Sequence, residues 1–102
     1  MELENLEQFD SFINKKQTVA VAWVSTWCPP CKMLKPILYE FCDEYQEDEI
    51  LIVNTDDFKS LAQKYNITHV PQIWWFKENK ALYIHEGFID YDEIHDKFEE
   101  LK

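Results

Sequence analysis

The sequence has 102 residues, of which 46% are apolar, and its formal net charge is −10 at pH 7. This length and apolar content predict one globular domain over residues 1–102 and exclude a disordered tail. The acidic balance, with no cluster of basic residues, argues against nucleic acid or an anionic membrane as a partner, because both bind through basic patches.

The N-terminal residues MELENLEQFDSF lack a basic segment followed by an apolar stretch, so we expect no secretory leader and, by default, a cytoplasmic location. No apolar run approaches the length that spans a membrane. The three cysteines are an odd number, which fits a reducing compartment with one special pair better than a disulfide-stapled secreted protein. We also expect a monomer whose partners are proteins or small molecules.

Hydrophobic periodicity predicts that helices and strands alternate along the first part of the chain. Apolar residues at helical spacing predict an amphipathic helix over residues 3–14. The run TVAVAWV at 18–24 predicts a strand covered on both faces. A second helix over residues 30–46 carries one apolar stripe, and Pro36 inside it should kink it. The run EILIVNT at 49–55 predicts a second buried strand.

The second part of the chain predicts a short helix, a hairpin and a closing helix. The short helix lies within FKSLAQKY, and we expect Asp56 and Asp57 to cap its N-terminus. QIWWFKENKALYIHEG has two β-rich runs around the polar turn 77–80, and YDEIHDKFEEL has helical spacing. This order of elements predicts an α/β domain with a mixed sheet of four to five strands, covered on both faces by about four helices.

The stretch WCPPCK at 27–32 places two thiols between the first strand and the second helix. Cys28 begins the helix, where unsatisfied N–H groups and the positive end of the helix dipole favour an anion, so we predict that it is the nucleophile. Cys31, one turn further in, is within reach for a disulfide and less exposed, which suits a resolving thiol. Pro29 and Pro30 stiffen the loop but donate no N–H, so we expect a reducing pair rather than a strong oxidant.

Two other interpretations of the cysteine pair stay open at this point. A zinc site needs four ligands, and the remaining candidates show no ligand spacing: Cys42, His69, His85 and His95. Inert core packing is the second, although paired prolines and the adjacent Trp27 are unusual neighbours for cysteines that only pack. We therefore predict redox chemistry that needs no metal and no organic cofactor.

Three motifs together resemble the thioredoxin family: WCPPCK, then HVPQ about forty residues later, then HEGF before the last helix. The resemblance covers essentially the whole chain and implies the thioredoxin fold. It implies that the Val70–Pro71 bond is cis and faces the two sulfurs, and that Val70 pairs with an extended substrate strand. It also implies that Trp27 and Gly87 line a shallow docking surface.

The residues themselves are compatible with these implications. A proline ahead of an apolar β run belongs at the start of a strand, where the residues alone leave cis and trans open. Gly87, the only glycine, serves either a backbone need such as a positive φ or an ordinary turn. We therefore predict a substrate-docking surface made of six residues, which are Trp27, Pro29, Pro30, Val70, Pro71 and Gly87.

The resemblance also implies the activity: reduction of disulfides in protein substrates through Cys28 and Cys31, with the pair recycled by a reductase such as thioredoxin reductase. The chain departs from the family where a buried Asp and a Lys usually stand, because Ala22 and Ile52 occupy those positions. No ionisable group would then help to deprotonate Cys31. This departure supports an alternative, a non-catalytic thioredoxin-like module that binds other proteins while its cysteines stay idle.

Three further features have structural interpretations. Cys42 follows Leu38 by four residues on the apolar stripe, so we predict that it is buried. The aromatic run 74–76 predicts core and cross-strand packing rather than a binding platform. His69 directly precedes Val70 and would stand near the sulfurs, although solvent exposure without a role is the simpler interpretation.

Overall fold

The structure is a computed structural model that describes residues 1–45 and 50–102. In these ranges it has four helices and four strands, in the predicted order. They are α1 (Leu6–Ile13), β1 (Val19–Val24), α2 (Pro29–Glu44), β2 (Ile50–Asn54), α3 (Lys59–Lys64), β3 (Gln72–Lys77), β4 (Lys80–Glu86) and α4 (Tyr91–Glu100). The predicted end of the second helix at 46 and start of the second strand at 49 lie outside the described residues.

The strands form one mixed sheet in the order β2-β1-β3-β4. β1 pairs with β2 in parallel and with β3 antiparallel, and the β3–β4 hairpin adds the second antiparallel pair. All residues of β1 are buried, because it is flanked by a strand on each side and by helices on each face. This arrangement confirms the predicted mixed sheet and the helices on both of its faces.

Each face of the sheet has its own hydrophobic core, because successive side chains of β1 point in opposite directions. On the first face, β1 packs with α2 and α4, through Ala20, Ala22, Val24, Leu34, Leu38, Phe41, Ile94 and Phe98. On the second face, β1 packs with α1 and α3, through Val19, Val21, Trp23, Phe9, Phe12, Ile13 and Leu61. The first core also contains Cys28 and Cys31, so the thiols belong to the α2–α4 side of the molecule.

The first helix begins at Leu6 rather than at residue 3. Asn5 caps it, with its side-chain oxygen accepting the backbone N–H of Gln8 at 2.9 Å. Leu3, which was predicted to be helical, instead donates its N–H to the carbonyl of Ile52 at 2.8 Å, beside the isolated parallel bridge between Glu2 and Ile52 of β2. The prediction was wrong here because the edge strand β2 offers unpaired backbone groups that a nearby extended segment satisfies.

The predicted caps of α3 are also wrong. Phe58 occupies the N-cap position, and no side chain caps the helix. Asp56 instead accepts hydrogen bonds from the backbone N–H and the hydroxyl of Thr26, with lengths of 3.4 and 3.3 Å. The loop after β2 is therefore joined to the loop after β1, which leads directly into the cysteine pair.

The turn of the predicted hairpin is fastened to the end of α1. Glu78 and Asn79 have φ values of 50° and 67°, the left-handed geometry that a two-residue hairpin turn needs. Their N–H groups donate to the carbonyls of Lys15 at 2.9 Å and of Ile13 at 2.7 Å. These bonds satisfy turn donors that would otherwise need water, and they fix the end of the hairpin remote from Pro71.

Within the described ranges, no helix combines the length and the apolar character needed to cross a membrane.

Gly87 follows β4 and has a φ of +91°, the backbone need that was one of the two interpretations left open by the sequence. A Cβ built at this position would meet no atom within 4 Å, so backbone conformation rather than close approach requires the glycine. The N–H of Gly87 donates to the carbonyl of Pro71 at 2.8 Å. This bond joins the end of the hairpin to the loop that carries the proline.

We expect Gly87→Ala to lower the free energy of unfolding by about 1–2 kcal/mol, because a Cβ disfavours the left-handed region. Urea unfolding of both proteins measures the difference. Asn79→Gly is the matched control: it places glycine at another position of positive φ and should leave the free energy of unfolding equal or higher. A loss of similar size in both variants would contradict this explanation.

Candidate active site

The cysteine pair lies at the start of α2, where the sequence predicted it. Cys28 is the N-cap residue, with the extended backbone angles φ −87° and ψ 115°, and Pro29 and Pro30 are the first residues of the helix. The carbonyl of Cys28 accepts the N–H of Lys32 at 3.2 Å. Because the two prolines have no N–H, the first backbone donors of the helix belong to Cys31 and Lys32.

The two thiols are close together and both are free. The thiols of Cys28 and Cys31 lie 2.8 Å apart. Cys31 is fully buried and Cys28 is 4% exposed, so the predicted order of exposure is correct but the difference is small. A disulfide partner must therefore approach Cys28 closely and along a restricted direction.

The loop that contains Pro71 lies opposite Cys28. The Val70–Pro71 peptide bond is cis, as the resemblance implied. The carbonyl oxygen of Val70 lies 3.7 Å from the sulfur of Cys28, which donates a thiol hydrogen bond to it. The side-chain amide of Gln72 holds the loop by donating to the carbonyl of His69 at 3.0 Å, in addition to the bond from Gly87. Segments more than forty residues apart in the sequence thus meet at the thiols.

Exposed apolar side chains adjoin these segments. Trp27, directly before Cys28, is 70% exposed, and Phe88, directly after Gly87, is 42% exposed. Trp27 and Val70 line the same cleft, so the loop before the cysteines and the proline loop form one continuous surface. Such exposed aromatic residues beside a reactive group are typical of a surface that binds other proteins.

The interior behind the thiols is apolar. Ala22 and Ile52 are direct neighbours across the β1–β2 pairing and are both buried. They belong to the same core as Cys28 and Cys31. The two positions at which the chain departs from the usual Asp and Lys therefore lie in the core that holds the thiols. Ala22 and Ile52 provide no carboxylate or amine there.

This environment makes the Cys31 thiol a weak acid. Burial, together with the hydrogen bond and the negative charge of Cys28, raises the pKa of Cys31 to about 12. Two contacts oppose this rise: the backbone N–H of Ser25 donates to the sulfur, and the positive charge of Lys35 favours the thiolate. With Cys28 present as a neighbouring thiol, Cys31 stays protonated near neutral pH.

Sequence reasoning did not identify Lys35 or Ser25 as functional residues. Lys35 follows Cys31 by one helical turn, so the four-residue spacing could have indicated it. Its Nζ lies 3.8 Å from Oε1 of Glu2, which places Glu2 and Lys35 in one ion pair at the edge of the site. The role of Ser25 comes from its backbone N–H, which carries no sequence signal.

The structure also gives the surroundings of three other residues discussed in the sequence analysis, which are His69, Cys42 and Trp75. The side chain of His69 is 55% exposed, and its Nε2 lies 3.4 Å from Oε1 of Glu86 rather than against a sulfur. Cys42 is half-buried, not fully buried as predicted, and its sulfur lies 4.0 Å from the carbonyl oxygen of Ile50. Trp75 is buried in the core, in agreement with the prediction for the aromatic strand.

The described part of the chain contains no group of three or more His, Cys, Asp or Glu side chains arranged to hold a metal ion.

We expect the stability of the reduced protein to fall between about pH 9 and 12 because of Cys31. The unfolded chain releases the Cys31 proton near the ordinary pKa of 9.0, whereas the folded protein retains it until about 12. The folded state therefore binds more protons in this window, and rising pH favours unfolding. Urea unfolding of wild type and Cys31→Ala under reducing conditions measures the effect.

The wild type should lose more free energy of unfolding than Cys31→Ala between pH 8 and pH 10.5. Below pH 8 the two proteins should show the same pH dependence, since the thiol stays protonated in both states. Parallel curves up to pH 10.5 would show that burial does not hold the Cys31 proton.

Comparison with known families finds a match over nearly the whole chain. The family model described as Thioredoxin matches residues 1–100. The chain is 32% identical to thioredoxin of Mycoplasma genitalium over 97 residues, covering 95% of each chain. It is 30% identical to thioredoxin-1 of Saccharomyces cerevisiae over 81 residues, covering 79% of each.

Solved structures share the fold at lower identity. A thioredoxin of Nicotiana alata superposes with a TM-score of 0.88 at 21% identity, covering 100% of this chain and 91% of that one. A thioredoxin variant of Halobacterium salinarum gives a TM-score of 0.87 at 22% identity, covering 99% and 88%. The mixed four-stranded sheet and four helices described above are thus the thioredoxin fold.

The free dithiol on this fold defines a thiol–disulfide oxidoreductase of the kind that reduces protein disulfides. The chain belongs to the thioredoxin family. The relatives that the chain matches over most of their length are named as thioredoxins, which supports the reductase rather than the non-catalytic alternative.

Proposed function

We propose that Cys28 is the nucleophile of this reductase. The thiolate of Cys28 attacks one sulfur of a substrate disulfide; a Cys28–substrate disulfide forms, and the second substrate sulfur leaves and takes up a proton. The observation that supports this role most strongly is the position of Cys28 at the start of α2, with its sulfur facing the open loop at Val70. Cys31 has no comparable access, because it is fully buried.

In the second step the thiolate of Cys31 attacks the sulfur of Cys28. The Cys28–Cys31 disulfide forms, the bond to the substrate breaks, and the substrate leaves as a dithiol after gaining two electrons in total. Formation of the mixed disulfide removes the thiol of Cys28, and with it two of the causes that raise the pKa of Cys31. Cys31 thus becomes easier to deprotonate only when its thiolate is needed.

The same surface supports a docking role for six residues: Trp27, Pro29, Pro30, Val70, Pro71 and Gly87. An extended substrate segment would add its backbone to that of Val70, as strands add to an exposed edge, while Trp27 contacts its side chains. The prolines stiffen the start of α2, and Gly87 fixes the loop through its bond to Pro71. Rigid surroundings reduce the entropy lost when the substrate docks.

The partners of this reaction are proteins that contain disulfides and a reductase, such as thioredoxin reductase, that returns two electrons to the Cys28–Cys31 disulfide. The protein acts as a monomer of one domain, over residues 1–102, and carries electrons in the cytoplasm. The odd number of cysteines supports a reducing compartment. The apolar surface around Trp27 supports contact with protein partners rather than with nucleic acid.

Cys28→Ser should abolish reduction of a disulfide-bonded test protein by dithiothreitol, because the hydroxyl cannot form the mixed disulfide. Cys31→Ser should still attack but remain attached to the substrate, since no resolving thiol is present. Thiol release and mass spectrometry of the products measure both outcomes. Equal turnover by wild type and Cys28→Ser would remove Cys28 from the mechanism, and product release by Cys31→Ser at the wild-type rate would remove Cys31.

Lys35→Met should slow the second step by about three-fold, because it removes a positive charge that favours the Cys31 thiolate. The pH dependence of this step should also move to higher pH. Quenched-flow measurement of the mixed disulfide follows its decay. Lys32→Met is the matched control, since Lys32 lies on the same helix but does not contribute to the pKa of Cys31; equal slowing in both variants would contradict the role of Lys35.

A further inference from the structure

A cleft of about 290 Å³ opens beside the thiols, between α3 and the loop that carries the cis proline. Trp27 and Val70 line it on the side of the cysteine pair. Lys59 and Gln63 on α3, together with Ile67 and His69, complete its wall. A substrate segment that reaches Cys28 over Val70 would therefore pass directly beside this cleft.

The charge of the cleft differs from that of the whole chain. The chain has 20 acidic and 10 basic residues, yet no Asp or Glu is among the residues that line the cleft. His69 is in contact with Glu86 at 3.4 Å, whereas Lys59 is exposed and forms no ion pair within the described residues. Asp56, nearby in sequence, directs its carboxylate to Thr26 instead.

We propose that this cleft binds an acidic side chain of the substrate, so that the protein prefers disulfides with Asp or Glu two residues from the reacting cysteine. The proposal rests on the proposed docking of an extended segment at Val70. In such a segment, side chains two residues apart point to the same face and are about 7 Å apart. Because Val70 both contacts the sulfur of Cys28 and lines the cleft, a side chain two positions from the reacting cysteine would lie at the cleft that Lys59 also lines.

Two features of the cleft suit a carboxylate on a short aliphatic stem. Trp27 and Ile67 provide apolar wall for the methylene groups, and the amide of Gln63 and the ammonium of Lys59 provide donors for the oxygens. The net charge of −10 disfavours an acidic substrate in general. A preference for an acid at one position, opposite in sign to this general repulsion, would therefore come from the cleft.

Peptides with a single cysteine, joined as a disulfide to 2-thiopyridine, test this proposal. Glu, Gln or Lys is placed two residues before or two residues after the cysteine. The reduced protein attacks the peptide sulfur, forms the Cys28–peptide disulfide and releases pyridine-2-thione, whose absorbance gives the second-order rate constant. At one of the two positions we expect the Glu peptide to react about three-fold faster than the Gln peptide and the Lys peptide to react most slowly. The expected difference is small because an exposed ion pair contributes little free energy.

Lys59→Glu should reverse the order and favour Lys over Glu at that position. Lys77→Glu is the matched control, because it makes the same change of net charge at the far end of β3, and it should keep the preference for Glu. Raising the salt concentration to 0.5 M should remove most of the difference between Glu and Gln, since exposed charges are then screened.

Equal rates for Glu, Gln and Lys at both positions would overturn the proposal, and so would the same response to Lys59→Glu and Lys77→Glu. These outcomes are separate from a failure of the proposed function. If Cys28 were not the nucleophile, Cys28→Ser would release pyridine-2-thione from the Gln peptide as fast as the wild type does.

Discussion

The exclusion of water from the Cys31 thiol determines how the rest of the site works. Cys31 lies in the α2–α4 core against Ala22 and Ile52, and burial is the largest cause of its raised pKa. A thiol that stays protonated cannot attack, so in the proposed mechanism Cys31 stays inactive until Cys28 has formed the mixed disulfide. The proposed division of labour between the two cysteines thus follows from packing, with no carboxylate at those two strand positions to assist.

The surface part of the site depends on connections between loops. The thiols lie where α2 begins, but the surface that would receive a substrate is assembled from three loops that follow β1, β2 and β4 and from the loop before β3. Asp56 joins the loops after β1 and β2 through Thr26, and Gly87 joins the loop after β4 to Pro71. A rigid frame of this kind is what allows a nearly buried sulfur to be reached along one direction.

The order of elements and the cysteine pair could be predicted from the sequence because both leave local signals. Periodicity identifies strands and helices, and WCPPC at a strand–helix junction indicates redox chemistry. The segment around Leu3 was assigned to a helix because periodicity does not reveal that an unpaired edge of β2 lies nearby. Helical spacing from Cys31 could have indicated Lys35, whereas the role of Ser25 belongs to its backbone N–H and the place of Lys59 beside the cleft depends on tertiary packing, so composition and spacing could not assign these two.

The single glycine, at a positive φ beside the docking loop, also bears on the unfolded chain. Glycine has the largest number of backbone conformations to lose on folding and proline has the smallest, and this chain has one glycine and four prolines. The unfolded chain therefore has fewer backbone conformations than a typical chain of this length, and it loses less conformational entropy on folding. A small domain with that advantage tolerates buried indole donors, such as those of Trp23 and Trp75, that have no hydrogen-bond partner among the described residues.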